Sequence, residues 1–372
     1  MAQTRPPFTP ANGDRAAARA EAMRLRAAFE AEGAQPVDAA ILQPAATLLD
    51  LYGEDIRARA YVTSDALRGE QMLRPDFTVP VVQMHMDGGA EPARYCYAGE
   101  VFRRQEEDED RANEYQQVGF ELFDGSNPPD ADAEVFALFQ RMLAPLNLRA
   151  ATGDIGILTA VVTGLDTSDK RKRALLRHIW RPRRFRALLD RFSAGRGVSD
   201  DRATLLQSAD PFAGAGAEIG LRSRAEVSER LDNLRQEAAT DPIPASVVEL
   251  IDTILAVREK MPFALEHLRD IAVDLPWIAP AIDRVSARAD AMAARGVAVD
   301  DLDFEASYGR THMEYYDGFV FGFYAESRPD LPPVATGGRF DALTRQLGQG
   351  RAIPAVGGVI RPGLVLNLGE QA

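Results

Sequence analysis

The 372-residue sequence holds one cysteine, Cys96, and only four histidines, His85, His178, His267 and His312. A single thiol excludes an internal disulfide and a thiolate zinc cluster. The histidines are scattered and none stands at HExxH-like spacing, so neither a metal site nor a cofactor is expected. Long apolar runs are absent as well. No uncharged stretch approaches the roughly 18–20 residues of a membrane helix. The opening residues, MAQTRPPFTPANGDR, lack the apolar core of a secretory signal. A reducing, cytoplasmic setting without a membrane partner is expected. Basic charge is in deficit: Lys+Arg 43 against Asp+Glu 56 gives −13. A field of that sign repels nucleic acid and anionic membrane.

What is present is an ordinary globular composition, 46% hydrophobic and 27% charged, with length enough for two domains. Residues 1–12 carry Pro6, Pro7 and Pro10 and read as an N-terminal arm. Ala16 to Phe29 reads as a helix, with Met23, Leu25 and Phe29 at helical spacing. From Pro36 to about Asp124, short apolar runs alternate with turn residues and read as strands. Asp132 to Leu143 is helical, and about Asp166 to Val297 is helical almost throughout. Strands return after Leu302, followed by a helix at Asp341–Leu347. Runs of strands set apart from runs of helices favour an α+β fold. The expected division is a core of 13–160 and 300–372 with a helical insertion at 161–299.

Four segments are candidates for chemistry. In Leu73-Arg74-Pro75-Asp76-Phe77-Thr78, an Asp and a Thr two residues apart on an extended segment point the same way and suit an ammonium. Alone, the pair also reads as a capped turn after Pro75. Arg103, with Gln117, Gly119 and Glu121, can set polar groups on one sheet face. Arg103 suits an anion, and Gln117 and Glu121 a polar ligand; a solvated strand face is the plain alternative. Glu314-Tyr315-Tyr316-Asp317-Gly318 can line a pocket or sit in a core. Thr336-Gly337-Gly338-Arg339 permits close backbone approach.

In this order, LRPDFT, EVFRRQ, EYQQVGFELF, a helical insertion, EYYDGFVF and TGGRFDALTRQLG with AIPAVGG, the segments resemble the catalytic core of the histidyl-tRNA synthetase family. The resemblance implies a class II synthetase-like antiparallel sheet flanked by helices, over roughly residues 13–150 and 300–368. It implies histidine binding by Asp76, Thr78, Arg103, Gln117, Glu121, Tyr315 and Tyr316, with Asp76 and Glu121 on the cationic groups and imidazole and Arg103 on the carboxylate. Ile41-Leu42-Gln43-Pro44 falls where that class places a dimer contact, and Asp132-Ala133-Glu134 fits the helix after its second motif.

The departures point away from aminoacylation. Asp76 stands where the family usually has Glu. Gln105 replaces the Glu of F-R-x-E, and Glu106-Glu107-Asp108-Glu109-Asp110 would repel a polyphosphate, with Arg111 offsetting part of that. Thr311-His312-Met313-Glu314 departs from the family's R-G-L-D, leaving Arg310 one residue too early. Leu364 falls at the arginine of G-L-E-R, and Pro362 is expected to hinder a helix there. The family's anticodon-binding domain is expected to be missing.

This combination resembles the ATP phosphoribosyltransferase regulatory subunits, a synthetase paralogue. It implies a non-catalytic chain in histidine biosynthesis with no catalytic residues. Such a chain would dimerise and dock a short-form catalytic subunit in a hetero-oligomer, expected to be a hetero-octamer. It would mediate feedback by L-histidine, with no tRNA partner. The alternative is a truncated synthetase-like enzyme that activates histidine with ATP. A third reading is an amino-acid sensor for another protein. Eleven Lys/Arg between Lys170 and Arg196, against Asp190 alone, form a local basic patch. It reads as a solvated helix face, a contact for an acidic partner, or an RNA contact.

Overall fold

The computed structural model describes residues 15–46, 59–105, 112–194, 200–310 and 315–369. The N-terminal arm, the acidic run 106–110 with Arg111, the segment 311–314 and Arg196 lie outside the described residues.

The strands are β1 (Gln35–Pro36), β2 (Leu42–Pro44), β3 (Val62–Asp65), β4 (Gly69–Leu73), β5 (Ala93–Phe102), β6 (Glu114–Phe123), β7 (Arg149–Asp154), β8 (Arg258–Lys260), β9 (Asp303–Glu305), β10 (Phe319–Tyr324), β11 (Ala335–Arg339) and β12 (Ala355–Ile360). Nine form one sheet in the order β1-β5-β6-β12-β11-β10-β7-β9-β8, and β2-β4-β3 form a small second sheet. The fold is α+β, as expected. The main sheet is mixed rather than purely antiparallel, because β1 pairs parallel to β5 and β7 parallel to β9. The long central ladder, β5 through β10, is antiparallel.

The helix Arg15–Ala31 lies across β5 and β6. It buries Ala18, Ala22, Leu25 and Phe29, whose spacing makes a single stripe. Met23, expected among them, is exposed because it falls on the opposite face. On the same side, Phe29 meets Phe120 and Phe139 at centroid distances of 5.4 and 5.5 Å. The helix Pro128–Leu143 begins four residues before the expected Asp132, with proline in its first turn where no amide donor is needed. Its Phe136 packs against Phe319, Phe321 and Phe323 of β10.

Asp132 on that helix is buried and binds Arg288 (3.2 Å) and Arg339 (2.7 Å), while Arg288 also binds Asp154 (2.8 Å). Arg288 lies on the helix Ala279–Ala294, so the end of the helical stretch is ion-paired into the sheet. β8, also within that stretch, pairs with β9.

Two local expectations are corrected. Asp76 and Thr78 do not share an extended segment: the chain bends after β4, and Thr78 opens the helix Thr78–Met86. Pro362 does not hinder a helix. It occupies the first turn of the helix Pro362–Gly369, where its missing N–H is harmless.

Candidate functional site

Alternation along β6 places Gln117, Gly119 and Glu121 on one face. Opposite them on β5, Tyr97 is in register with Gly119, and the Tyr97 ring occupies the space a side chain at 119 would need. Phe77 stacks on that ring at 4.4 Å, which fixes the bend carrying Asp76. Arg74 holds the same bend: its Nε donates to the Glu100 carbonyl at 2.8 Å and its guanidinium covers Phe77. Arg103 follows β5 and donates from Nε to the Pro75 carbonyl at 2.7 Å, so it is aimed beside Asp76.

These groups surround a cavity of about 220 Å³. Six of the seven residues expected to bind histidine line it: Asp76, Thr78, Arg103, Gln117, Tyr315 and Tyr316. The Tyr315 hydroxyl lies 3.5 Å from Asp76 Oδ2, and the two tyrosine rings meet edge to face at 4.9 Å. Gln117 is fully buried, yet neither its amide nitrogen nor its oxygen has a hydrogen-bond partner among the described residues. A buried amide left open at both ends costs free energy unless a ligand or water completes it.

Glu121, the seventh, stands one layer behind the wall. Its Oε1 accepts from Thr78 Oγ1 (2.8 Å) and from Tyr97 OH (2.9 Å), and its Oε2 has no hydrogen-bond partner among the described residues. Burial pushes its pKa up to about 8; the two hydrogen bonds pull it back and nearby Asp76 adds to the rise. In this arrangement Glu121 orients Thr78 and Tyr97 rather than facing the cavity. Its Oε2 abuts Gly357 of β12, its register partner, where any Cβ would collide.

The cavity also has walls that were not among the residues expected to bind histidine: Arg59, Tyr308, Thr336 and Arg361. Tyr308 shares a 2.7 Å hydrogen bond with Tyr324 of β10. Arg361 follows β12 and donates to the Pro333 carbonyl. The only sequence signal for Arg361 was its place in the altered third motif.

Other expected groups sit elsewhere. Arg310 does not line the cavity; its Nε donates to the Ile179 carbonyl at 2.8 Å and its guanidinium lies over Phe185. Gln105 turns its amide onto the carbonyls of Arg103 and Ala112. Leu364 is buried in the apolar core. In the basic stretch, Arg171 is buried against Glu237 and backbone carbonyls, and Arg186 pairs with Asp190 and Asp252. Lys170, Arg173, Arg177, Arg183 and Arg184 are exposed.

Comparison with known proteins agrees with this geometry. The family model described as histidyl-tRNA synthetase matches residues 12–362. A Brucella ovis protein named ATP phosphoribosyltransferase regulatory subunit is 31% identical over 362 residues, covering 90% of this chain and 93% of its own. The protein of that name from Brucella abortus is also 31% identical, over 90% and 92%. Among solved structures, an ATP phosphoribosyltransferase regulatory subunit/histidyl-tRNA synthetase from Bacillus halodurans superposes with TM-score 0.67 at 18% identity, over 99% of this chain and 83% of that one. A histidine–tRNA ligase subunit from Alicyclobacillus acidocaldarius gives TM-score 0.61 at 25% identity, over 99% and 97%.

Proposed function

Because this chain belongs to the ATP phosphoribosyltransferase regulatory subunits within the histidyl-tRNA synthetase family, we propose that it binds L-histidine and regulates a catalytic ATP phosphoribosyltransferase partner without doing chemistry itself. The observation that carries the ligand is the Gln117 amide, buried and open at both ends on the wall of a small polar cavity. Asp76 offers a carboxylate to the ammonium group, Arg103 a guanidinium to the carboxylate, and Gln117 both a donor and an acceptor. Tyr315 and Tyr316 supply the apolar faces on which a flat ring can lie. Roughly 300–1,000 Å³ is usual for a drug-sized ligand, so a cavity of about 220 Å³ suits an amino acid better than a nucleotide.

Two residues favour regulation over adenylate chemistry. Gln105 and Leu364 stand where the synthetases carry a Glu and an Arg for ATP. One is an amide occupied with its own loop, the other an apolar side chain in the core. The pocket is also tied to the helical region, since Trp180 donates from Nε1 to the Tyr316 carbonyl at 3.1 Å. A ligand that orders Tyr315 and Tyr316 therefore acts on a second element, and about 1–3 kcal/mol of coupling suffices for feedback. Ile41 and Leu42, exposed at β2, supply apolar surface for the proposed dimer contact.

Reconstitution with a short-form catalytic subunit tests the reading. Phosphoribosyl-ATP formation should require this chain and fall as histidine is added. Asp76→Asn should remove the histidine response and leave activation in place. No complex and no activation, with histidine-dependent ATP–pyrophosphate exchange instead, would favour the synthetase-like enzyme.

A further inference from the structure

Two surfaces of the helical region carry exposed charge of opposite sign, each in a single stripe. On the helix Met261–Asp274, Glu266, Asp270 and Asp274 recur every fourth residue, away from the buried Met261, Leu265 and Leu268. None of the three carboxylates has a basic partner among the described residues. Phe263 and Val273, 63% and 79% exposed, flank the stripe, and Trp277 follows it, half-buried. Phe263, Glu266, His267 and Asp270 also line an open groove with Glu259 and Lys260 of β8, the edge strand of the main sheet. Lys260 is engaged by Asp303 and Glu259 by His267, so the unpaired charge in the groove is acidic.

The second surface is the basic stretch. On the helix Asp169–Arg177, Lys170, Arg173 and Arg177 stand at i, i+3 and i+7, away from the buried Arg171 and Leu175. Arg183 and Arg184 are exposed in the first turn of the helix Pro182–Ser193. These five cations have no acidic partner among the described residues. At 1.5 Å per residue the basic stripe is about 10 Å long and the acidic one about 12 Å.

The two surfaces adjoin. Trp277 donates from Nε1 to the Val161 carbonyl at 3.3 Å, and its ring fills the space beside Gly164, the last residue of the helix Ile155–Gly164. The helix bearing the basic stripe begins shortly after, at Asp169. Complementary surfaces side by side on one molecule make it complementary to its own copy. A twofold axis between them lays the acidic stripe of each copy on the basic stripe of the other. The exposed rings improve the match, because guanidinium stacks on aromatic faces as well as pairing with carboxylates. Exposed ion pairs contribute little alone, so the apolar anchors hold such a contact while the charges set its register.

We propose that the helix Met261–Asp274 docks a second copy of this chain through that copy's basic stripe on Asp169–Arg177, and reciprocally. The contact is separate from the apolar surface at β2. It gives a role to a basic run in a chain of net charge −13, and it does not depend on what the cavity binds.

The test is analytical ultracentrifugation of the full chain at low and high salt. One variant carries Glu266→Arg with Asp270→Arg, the other Arg173→Glu with Arg177→Glu. At low salt the parent should sediment at twice the mass of either variant, and high salt should bring it down to theirs. An equal mixture of the two variants should return to the parent's mass, since one then presents two basic faces and the other two acidic ones. Phe263→Ala should raise the concentration of half-association at least tenfold.

A parent no larger than the variants at low salt overturns the proposal, and so does a mixture of folded variants that stays small. Should a charge-reversed variant fail to fold, Glu266→Gln with Asp270→Asn removes the charge at little risk to the helix, and it must still weaken association. Variants that self-associate as the parent does, yet no longer bind a short-form catalytic subunit, would assign this face to that partner and overturn the proposal. Histidine titration of the same variants should match the parent, which keeps this contact apart from the reading of the cavity.

Discussion

Trp180 donates its indole N–H to the main-chain carbonyl of Tyr316, joining the helical stretch after Leu165 to the wall of the cavity. Arg310 makes a second tie nearby, from its Nε to the carbonyl of Ile179. Two consecutive residues, Ile179 and Trp180, therefore connect the turn between helices Asp169–Arg177 and Pro182–Ser193 to the residues on either side of 311–314.

Trp180→Phe keeps a ring but removes the donor, leaving the Tyr316 carbonyl to find another partner. The expected cost is about 1 kcal/mol, and it falls on the link rather than on the ligand contacts. Histidine affinity of the isolated chain should change little, while the histidine concentration that half-inhibits the reconstituted complex should rise several-fold. Equal losses in both measurements would count against a linking role.

Glu121 makes the fold sensitive to pH in a definite direction. Its folded pKa of about 8 exceeds the ordinary value of 4.5, so between those limits the folded chain keeps a proton that the unfolded chain releases. Stability then falls as pH rises across that window, by at most about 1.4 kcal/mol per pH unit from this group. Glu121→Gln removes the titration and keeps the shape. The stability of the variant relative to the parent should rise steadily from pH 5 to pH 8 in urea unfolding. A constant difference would show that Glu121 is ionised in the fold.

Arg288 is the hub between Asp132 and Asp154, and all three are buried. Arg288→Met leaves two buried carboxylates short of a counter-charge. A loss of about 3–5 kcal/mol is expected, read as a fall in the urea midpoint. Replacing Asp132 with Asn in the same background should recover part of that loss, because Arg339 would still hold the amide oxygen.

Gly357 has no room for a side chain. A Cβ there would strike Glu121 Oε2 and would lie 2.6 Å from the Phe120 carbonyl oxygen. The first obstacle can swing away; the second is backbone within the ladder between β6 and β12. Gly357→Ala should therefore cost about 1–3 kcal/mol, measured by thermal unfolding. Adding Glu121→Gln should not restore it, because the collision with the ladder remains.

Much of the cavity could be read from the chain because its key groups lie on locally ordered segments. Gln117 and Glu121 share a face by strand alternation, and Tyr315 and Tyr316 are adjacent in sequence. Alternation could not show that Glu121 is screened by Thr78, since that depends on a helix starting at Thr78 across a bend. The extended reading of Asp76 and Thr78 failed for the same reason. The helix Thr78–Met86 went unseen within a stretch whose texture is that of strands. Pro362 misled because a proline that breaks a helix interior is at home in its first turn.

The sequence by itself determined the family, the α+β class and most of the cavity wall, since these rest on motif order and on periods of two and 3.6 residues. The tertiary structure alone decided that Arg59, Tyr308, Thr336 and Arg361 share that wall, that Glu121 stands behind it, and that Arg310 turns away to Ile179. The reason is physical. Local periodicity fixes which face of an element a side chain takes, but the neighbours it meets there are set by strand order. In the order β6-β12-β11-β10, hydrogen bonding brings together segments more than two hundred residues apart in the chain.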